Sequence, residues 1–272
     1  PGLATRLLGQ RQLKGIVDPV TLHVLRLEVA RSVPGFDSPA REGRFVGRDG
    51  ELAQLTHALG RTRAGQGQVV CVSGEAGAGK SRLCAEFAHV CQGLGARVLW
   101  VRAHPLSPAM PLRPARELLI AWLQITADMA PPDVRRHVHA ALLKAGWPKA
   151  EDAAALFELL GVAQNDTGDA AGQPRSADRL GSQSRLLAIV ADLIRAESSE
   201  ARLLVVEDLH WLDAGSWPVL TTVAQALAST RTLLLANLRR HFALPWPRLP
   251  HVTTLTLGSL DDAAVRTIVT EQ

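Results

Sequence analysis

No apolar run in this 272-residue chain approaches the ~18 residues of a membrane-spanning helix, so no span is expected. Cysteine is scarce. Cys71, Cys84 and Cys91 have no metal-ligand spacing, and an odd count without a framework excludes a disulfide scaffold and favours a reducing, cytoplasmic setting. Cys84 and Cys91 lie seven apart on one helix face beside Phe87 and Ala88, and read as core thiols. There is no internal repeat and no long low-complexity tract. A basic recognition helix is also missing, because Arg135-Arg136 and Arg239-Arg240 are too sparse, so nucleic acid is not an expected partner. The net charge of +4 is mild and its signs are interspersed. With 47% hydrophobic residues, the chain is long enough for one large α/β domain or a domain plus a fragment. It starts at Pro1 and stops inside a starting helix, and so reads as an excerpt in which a targeting segment is neither read nor excluded.

Against these absences stands one full motif. Residues 74–81, Gly-Glu-Ala-Gly-Ala-Gly-Lys-Ser, match the phosphate-binding pattern G-x-x-x-x-G-K-[ST]. The context fits, with a β-rich run at 68–73 before it and helical spacing from Ser81 to Val90 after it. Glycines let backbone N–H groups close on phosphates, and a helix start adds its dipole and free donors. Lys80 supplies a point charge for the β- and γ-phosphates, and the Ser81 hydroxyl can reach Mg²⁺. The nucleotide-contacting stretch runs through Gly74, Glu75, Ala76, Gly77, Ala78, Gly79, Lys80, Ser81 and Arg82.

Residues 1–30 read as a small unit with turns at Gly15 and Asp18-Pro19 and an edge strand near 22–27, and residues 31–43 as a linker. The main domain, 44–272, opens at Phe45-Val46-Gly47-Arg48, followed by a helix over 49–59. Further strands are expected at 96–101, 203–206, 233–236 and 252–257. Amphipathic helices are expected at 114–125, 133–145 and 151–160, a polar loop at 163–175, a helix from Ser176 or Ser182 through Ile194, and a helix start at Asp261-Asp262. Apolar strands separated by helices imply an α/β fold with a five-stranded parallel sheet covered on both faces. Since 127 positions separate Lys80 from Glu207, the helices within about 105–200 read as an insertion.

Val205-Val206-Glu207-Asp208 ends a buried strand with two carboxylates, which require a cation or water there. Glu207 is assigned to the Mg²⁺ shell through water, and Asp208 to orienting or deprotonating the hydrolytic water. Strand alternation is expected to give the two different parts. Arg239, with Asn237 second, is placed to sense the γ-phosphate. His210 and Trp211 read mainly as packing residues, and Asp213 as a helix cap. The expected catalytic set is Asp208, Glu207, Lys80 and Arg239, with Ser81 and Glu207 toward the metal.

Taken together, Phe45-Val46-Gly47-Arg48, the loop, Glu207 through Asp213 and Asn237-Leu238-Arg239 resemble the AAA-type signalling ATPases of the STAND group. In particular they resemble the module that follows class III adenylate/guanylate cyclase domains in bacterial regulators. Residues 7–28 similarly resemble the end of such a cyclase domain, which would leave this chain without cyclase activity. The resemblance implies ATP and Mg²⁺ as cofactors, adenine contacts from Val46, Gly47 and Arg48, and a sensor role for Arg239. It further implies partner modules in the same polypeptide, a cyclase upstream and helical or repeat modules downstream, and ATP-dependent self-assembly. The expected function is an ATP-binding, slowly hydrolysing regulatory switch. The competing readings are the ATPase module of a DNA-binding, LuxR-like regulator, a phosphotransferase, and a pseudo-ATPase that only binds.

Overall fold

The computed structural model describes residues 5–11, 20–25, 45–104, 111–162, 176–196, 200–246 and 248–270. The chain divides into two compact units, Pro1–Pro34 and Gly35–Gln272. In the first, β1 (Thr5–Arg11) pairs antiparallel with β2 (Val20–Leu25), and the register shifts between Leu7 and Gly9. β1 was not expected, since its residues lack strand alternation. The expected turns at Gly15 and Asp18-Pro19, the linker 31–43 and the polar loop 163–175 lie outside the described residues.

The second unit is built on five parallel strands: β3 (Gln68–Gly74), β4 (Arg97–Arg102), β5 (Arg202–Glu207), β6 (Thr232–Arg239) and β7 (Val252–Leu257). Their spatial order is β4-β5-β6-β3-β7, so β3 lies inside the sheet between β6 and β7. This is the five-stranded parallel α/β sheet expected from the apolar runs. β3 and β5 are buried along their whole length, as strands covered on both faces must be.

Side chains alternate across the sheet and so separate two cores. Val70, Val72, Leu203, Val205, Leu233 and Leu235 face α1 (Asp49–Arg63) and α2 (Lys80–Gly93), packing with Leu55, Leu59, Leu83 and Phe87. Val69, Cys71, Val101, Leu204, Val206 and Leu234 face the other helices. Those are α3 (Arg113–Trp122), α4 (Pro131–Lys144), α5 (Ala150–Leu160), α6 (Ser176–Ala196) and α7 (Ser216–Ala226). Four of them, α3 to α6, lie in the chain between β4 and β5. The last helix is α8 (Asp262–Thr270). α3 stops three residues before the expected 125, and Gln124 takes a left-handed φ of 59°. The N-cap of α7 is Gly215 and not Asp213; Asp213, two residues earlier, accepts at Oδ1 from the Ser216 N–H at 3.0 Å and at Oδ2 from the Ser216 hydroxyl at 2.7 Å.

All three thiols are buried, and burial pushes each up to about 12, as core cysteines require.

Gly67 enters β3 with the Leu227 carbonyl oxygen 1.8 Å from where a Cβ would lie. Gly67→Ala must therefore displace backbone, and is expected to lower stability in urea by about 3 kcal/mol. Gly60 sits within α1 with nothing within 4 Å of a Cβ. Gly60→Ala is expected to raise stability by about 0.5–1 kcal/mol in the same assay.

Candidate nucleotide site

The parallel register brings the carboxyl ends of the strands into line. Arg102 pairs with Glu207, Val206 with Ala236, Val72 with Asn237, and Gly74 with both Arg239 and Leu257. In an open parallel sheet, this edge is where ligands bind.

The loop after β3 turns on two left-handed glycines, Gly77 at φ 79° and Gly79 at φ 85°. Nothing lies within 4 Å of a Cβ at either, so backbone conformation is what demands glycine there. Gly79 caps α2, whose first residues are Lys80, Ser81 and Arg82. Glu75, Ala76 and Gly77 are exposed, while Lys80, Ser81 and Arg82 are half-buried. The Lys80 ammonium donates to the carbonyls of Gly74 at 3.0 Å and Glu75 at 2.7 Å. It is thereby held against the mouth of its own loop.

Glu207 closes β5 and has no solvent exposure. Its Oε2 accepts from Trp100 Nε1 at 3.2 Å, from Arg102 Nε at 2.8 Å and from Arg102 Nη2. Its Oε1 accepts from Asn237 Nδ2 at 3.3 Å. Asn237 is also fully buried, and its Oδ1 accepts the Asp208 N–H at 2.8 Å. One amide thus ties both acidic positions to β6. Asp208 has left the strand, with φ 57° and ψ 44°, and precedes a 3-10 turn over Leu209–Trp211. The two carboxylates are therefore parted by a left-handed turn at Asp208, not by the strand alternation expected from the sequence.

Lys80 and the acidic pair occupy one electrostatic neighbourhood. The buried Cys84 thiol on α2 feels Glu207, Asp208 and Lys80, and accepts a 4.0 Å contact from Asn237 Nδ2. His210 lies in the field of Asp208, Arg239 and Lys80. Burial, then the Arg239 and Lys80 cations, press its pKa below the ordinary 6.5, with Asp208 opposing. The imidazole Nδ1 is buried with no hydrogen-bond partner among the described residues.

The remaining expected residues are distributed differently. Arg239 is exposed, and its guanidinium lies 5.6 Å from the centroid of the Trp211 ring. Arg48 is buried, and its guanidinium donates to Glu51 Oε1 at 2.9 Å and to the carbonyls of Ala78 at 3.2 Å and Gly258 at 2.6 Å. It binds the phosphate loop to the segment after β7. Gly47 takes φ 70°, and a Cβ there would come within 2.6 Å of Ala264 Cβ on α8. Val46 is half-buried beside them. Arg102 and Trp100 were not expected at the site; the signal available for Arg102 was a charge directly after an apolar strand. A groove of about 420 Å³ lined by Leu187, Trp217, Thr221 and Pro245 lies elsewhere, on the α6 and α7 side, and no charged side chain among the described residues lines it.

A parallel α/β sheet with a glycine phosphate loop and a buried acidic strand end defines a phosphate-loop nucleotide-binding domain. A family described as AAA ATPase domain matches residues 44–236. The chain belongs to this AAA ATPase domain family. An uncharacterized protein of Rhizobium meliloti (strain 1021) is 26% identical over 224 residues, covering 82% of this chain and 21% of that protein. The chain thus spans about a fifth of that relative's length. A solved structure of Drosophila ORC bound to AT-rich DNA and Cdc6 is similar at 10% identity and a TM-score of 0.36, over 78% of this chain and 58% of that one.

A His210 pKa that folding lowers stabilises the neutral ring. Its contribution is present above the unfolded pKa and is lost as pH falls through the folded one. Thermal melts from about pH 8 to about pH 5 should show a shallower acid-side loss for His210→Gln than for the parent chain.

Proposed function

We propose that this chain is the ATP-binding, hydrolysing switch module of a larger signalling protein. Slow turnover, a STAND-type mechanism and linkage to a class III cyclase are the finer parts of this reading. They rest on the ordered set of Phe45 to Arg48, the loop 74–81, Glu207 to Asp213 and Asn237 to Arg239. The observation that carries it is that Asn237 touches Glu207, the Asp208 N–H and Cys84 of α2, the helix that Lys80 opens, at one sheet edge.

Each residue has a part that follows from its chemistry. Loop N–H groups and the start of α2 bind the phosphate tail, and Lys80 exchanges its carbonyl partners for phosphate oxygens. The donors fit Mg²⁺, since the Ser81 hydroxyl and the carboxylates of Glu207 and Asp208 are hard oxygens. Among the described residues no group of three or more His, Cys, Asp or Glu makes a cage, so the ion would arrive with the phosphates. Bound there, Mg²⁺ would neutralise charge developing on the phosphate oxygens. Glu207 would face its water shell, and Asp208, held by Asn237, would orient the attacking water. Arg239 would leave Trp211 for the added charge of a γ-phosphate and so separate ATP from ADP. A difference in contacts of this kind is what can bias two packings of the domain against neighbouring modules.

No helix among the described residues is long and apolar enough to cross a membrane. A cytoplasmic setting, partner modules in the same polypeptide and ATP-dependent assembly belong to the same proposal.

Calorimetry with ATP, GTP and ADP tests the reading. Lys80→Ala should weaken ATP binding by about tenfold or more, and unchanged affinity would remove Lys80 from the site. Asp208→Asn should keep binding and lose about 100-fold in phosphate release; persistent turnover would move the water-activating role to another group. Arg239→Ala should narrow the preference of ATP over ADP, and full discrimination in that variant would end its sensor role.

A further inference from the structure

We propose that Arg102 is a positioning residue that competes with Mg²⁺ for Glu207, so that ATP enters this site with little help from the metal ion. The inference rests on the nucleotide-site reading above. Its starting point is how far the Glu207 carboxylate is already committed. A carboxylate offers about four lone-pair sites. Three donors converge on Oε2, from Trp100 and twice from Arg102, and Asn237 takes one site on Oε1. The negative charge is thus neutralised inside the protein before any metal arrives.

Both ion pairing and burial bear on what Mg²⁺ meets there. Mg²⁺ gives up its water shell reluctantly and is drawn to carboxylates by their charge. A carboxylate shared with a guanidinium exerts a weaker pull, and at 0% exposure it touches no solvent. The guanidinium cannot be titrated away, because it stays protonated. It can move, however: the Arg102 side chain is 39% exposed, at the last residue of β4, so it can swing to solvent without breaking the strand ladder. Two arrangements follow, one with Glu207 paired to Arg102 and one with Glu207 open to a hydrated ion. The cost of leaving the first for the second sets how tightly Mg²⁺ binds beside nucleotide. Phosphate charge is meanwhile met by Lys80, whose own partners are the Gly74 and Glu75 carbonyls, so it stays available in both arrangements.

The test is calorimetric titration of ATP into the chain, once with Mg²⁺ and once with EDTA, which reads affinity and not turnover. The parent chain is expected to change by less than about threefold between the two buffers, and Arg102→Met by about tenfold or more in favour of Mg²⁺. Arg102→Lys keeps a charge but loses the fork, and should fall between them. Melting curves without nucleotide report whether each variant folds. If Arg102→Met does not, Arg102→Lys against the parent chain is read in its place. Equal responses to Mg²⁺ in parent and variant, with ATP binding intact, would overturn the role of Arg102 and leave the nucleotide site standing. No ATP binding in either buffer would overturn the nucleotide site, and this inference with it.

Discussion

The site depends on a negative charge buried at the end of β5. Desolvating a carboxylate is expensive, and breaking a buried pair by removing one partner costs about 3–5 kcal/mol. Glu207 receives donors from the strands on either side of its own: Trp100 and Arg102 on β4, and Asn237 on β6. Those contacts exist only when β4, β5 and β6 are in their parallel register. Sheet order and site chemistry are therefore one constraint. A slip of one residue would turn Asn237 and Glu207 to opposite faces and leave the charge unpaired.

Asn237 extends that constraint to the neighbouring position. Its two amide ends hold unlike groups, a carboxylate on one side and the Asp208 N–H on the other. The Asp208 backbone is left-handed, an uncommon conformation for a residue with a side chain. The hydrogen bond from its N–H supplies the fixed partner that this conformation needs. The result is a rigid inner acid and an outer acid on a turn, each presented differently to the loop.

Much of this was legible in the chain because it is local. The phosphate loop is eight consecutive residues, and its demand for left-handed glycine at 77 and 79 is met within the motif. The inner strands β3, β5 and β6 were visible as apolar runs, since a strand buried on both faces cannot hide its composition, and β7 showed instead as a run rich in Thr and Leu. The partner of Glu207 was not legible, because 105 positions separate it from Arg102 and only the sheet brings them together. The same holds for Arg48, whose bond to Gly258 spans 210 positions. β1 escaped for a different reason: Thr5 to Arg11 lacks the period-2 pattern that marks a half-buried strand.

The Arg48 guanidinium makes the phosphate loop a junction as well as a cradle. It joins the Ala78 carbonyl within the loop to Gly258 at the exit of β7, while Gly47 beside it is packed against Ala264 of α8. A peptide carbonyl that turns inside the loop must shorten or stretch a bond to the strut carrying α8. Force applied to that helix by whatever it bears would travel back along the same strut. The domain is in this sense wired as a lever whose short arm is the phosphate loop and whose long arm is α8.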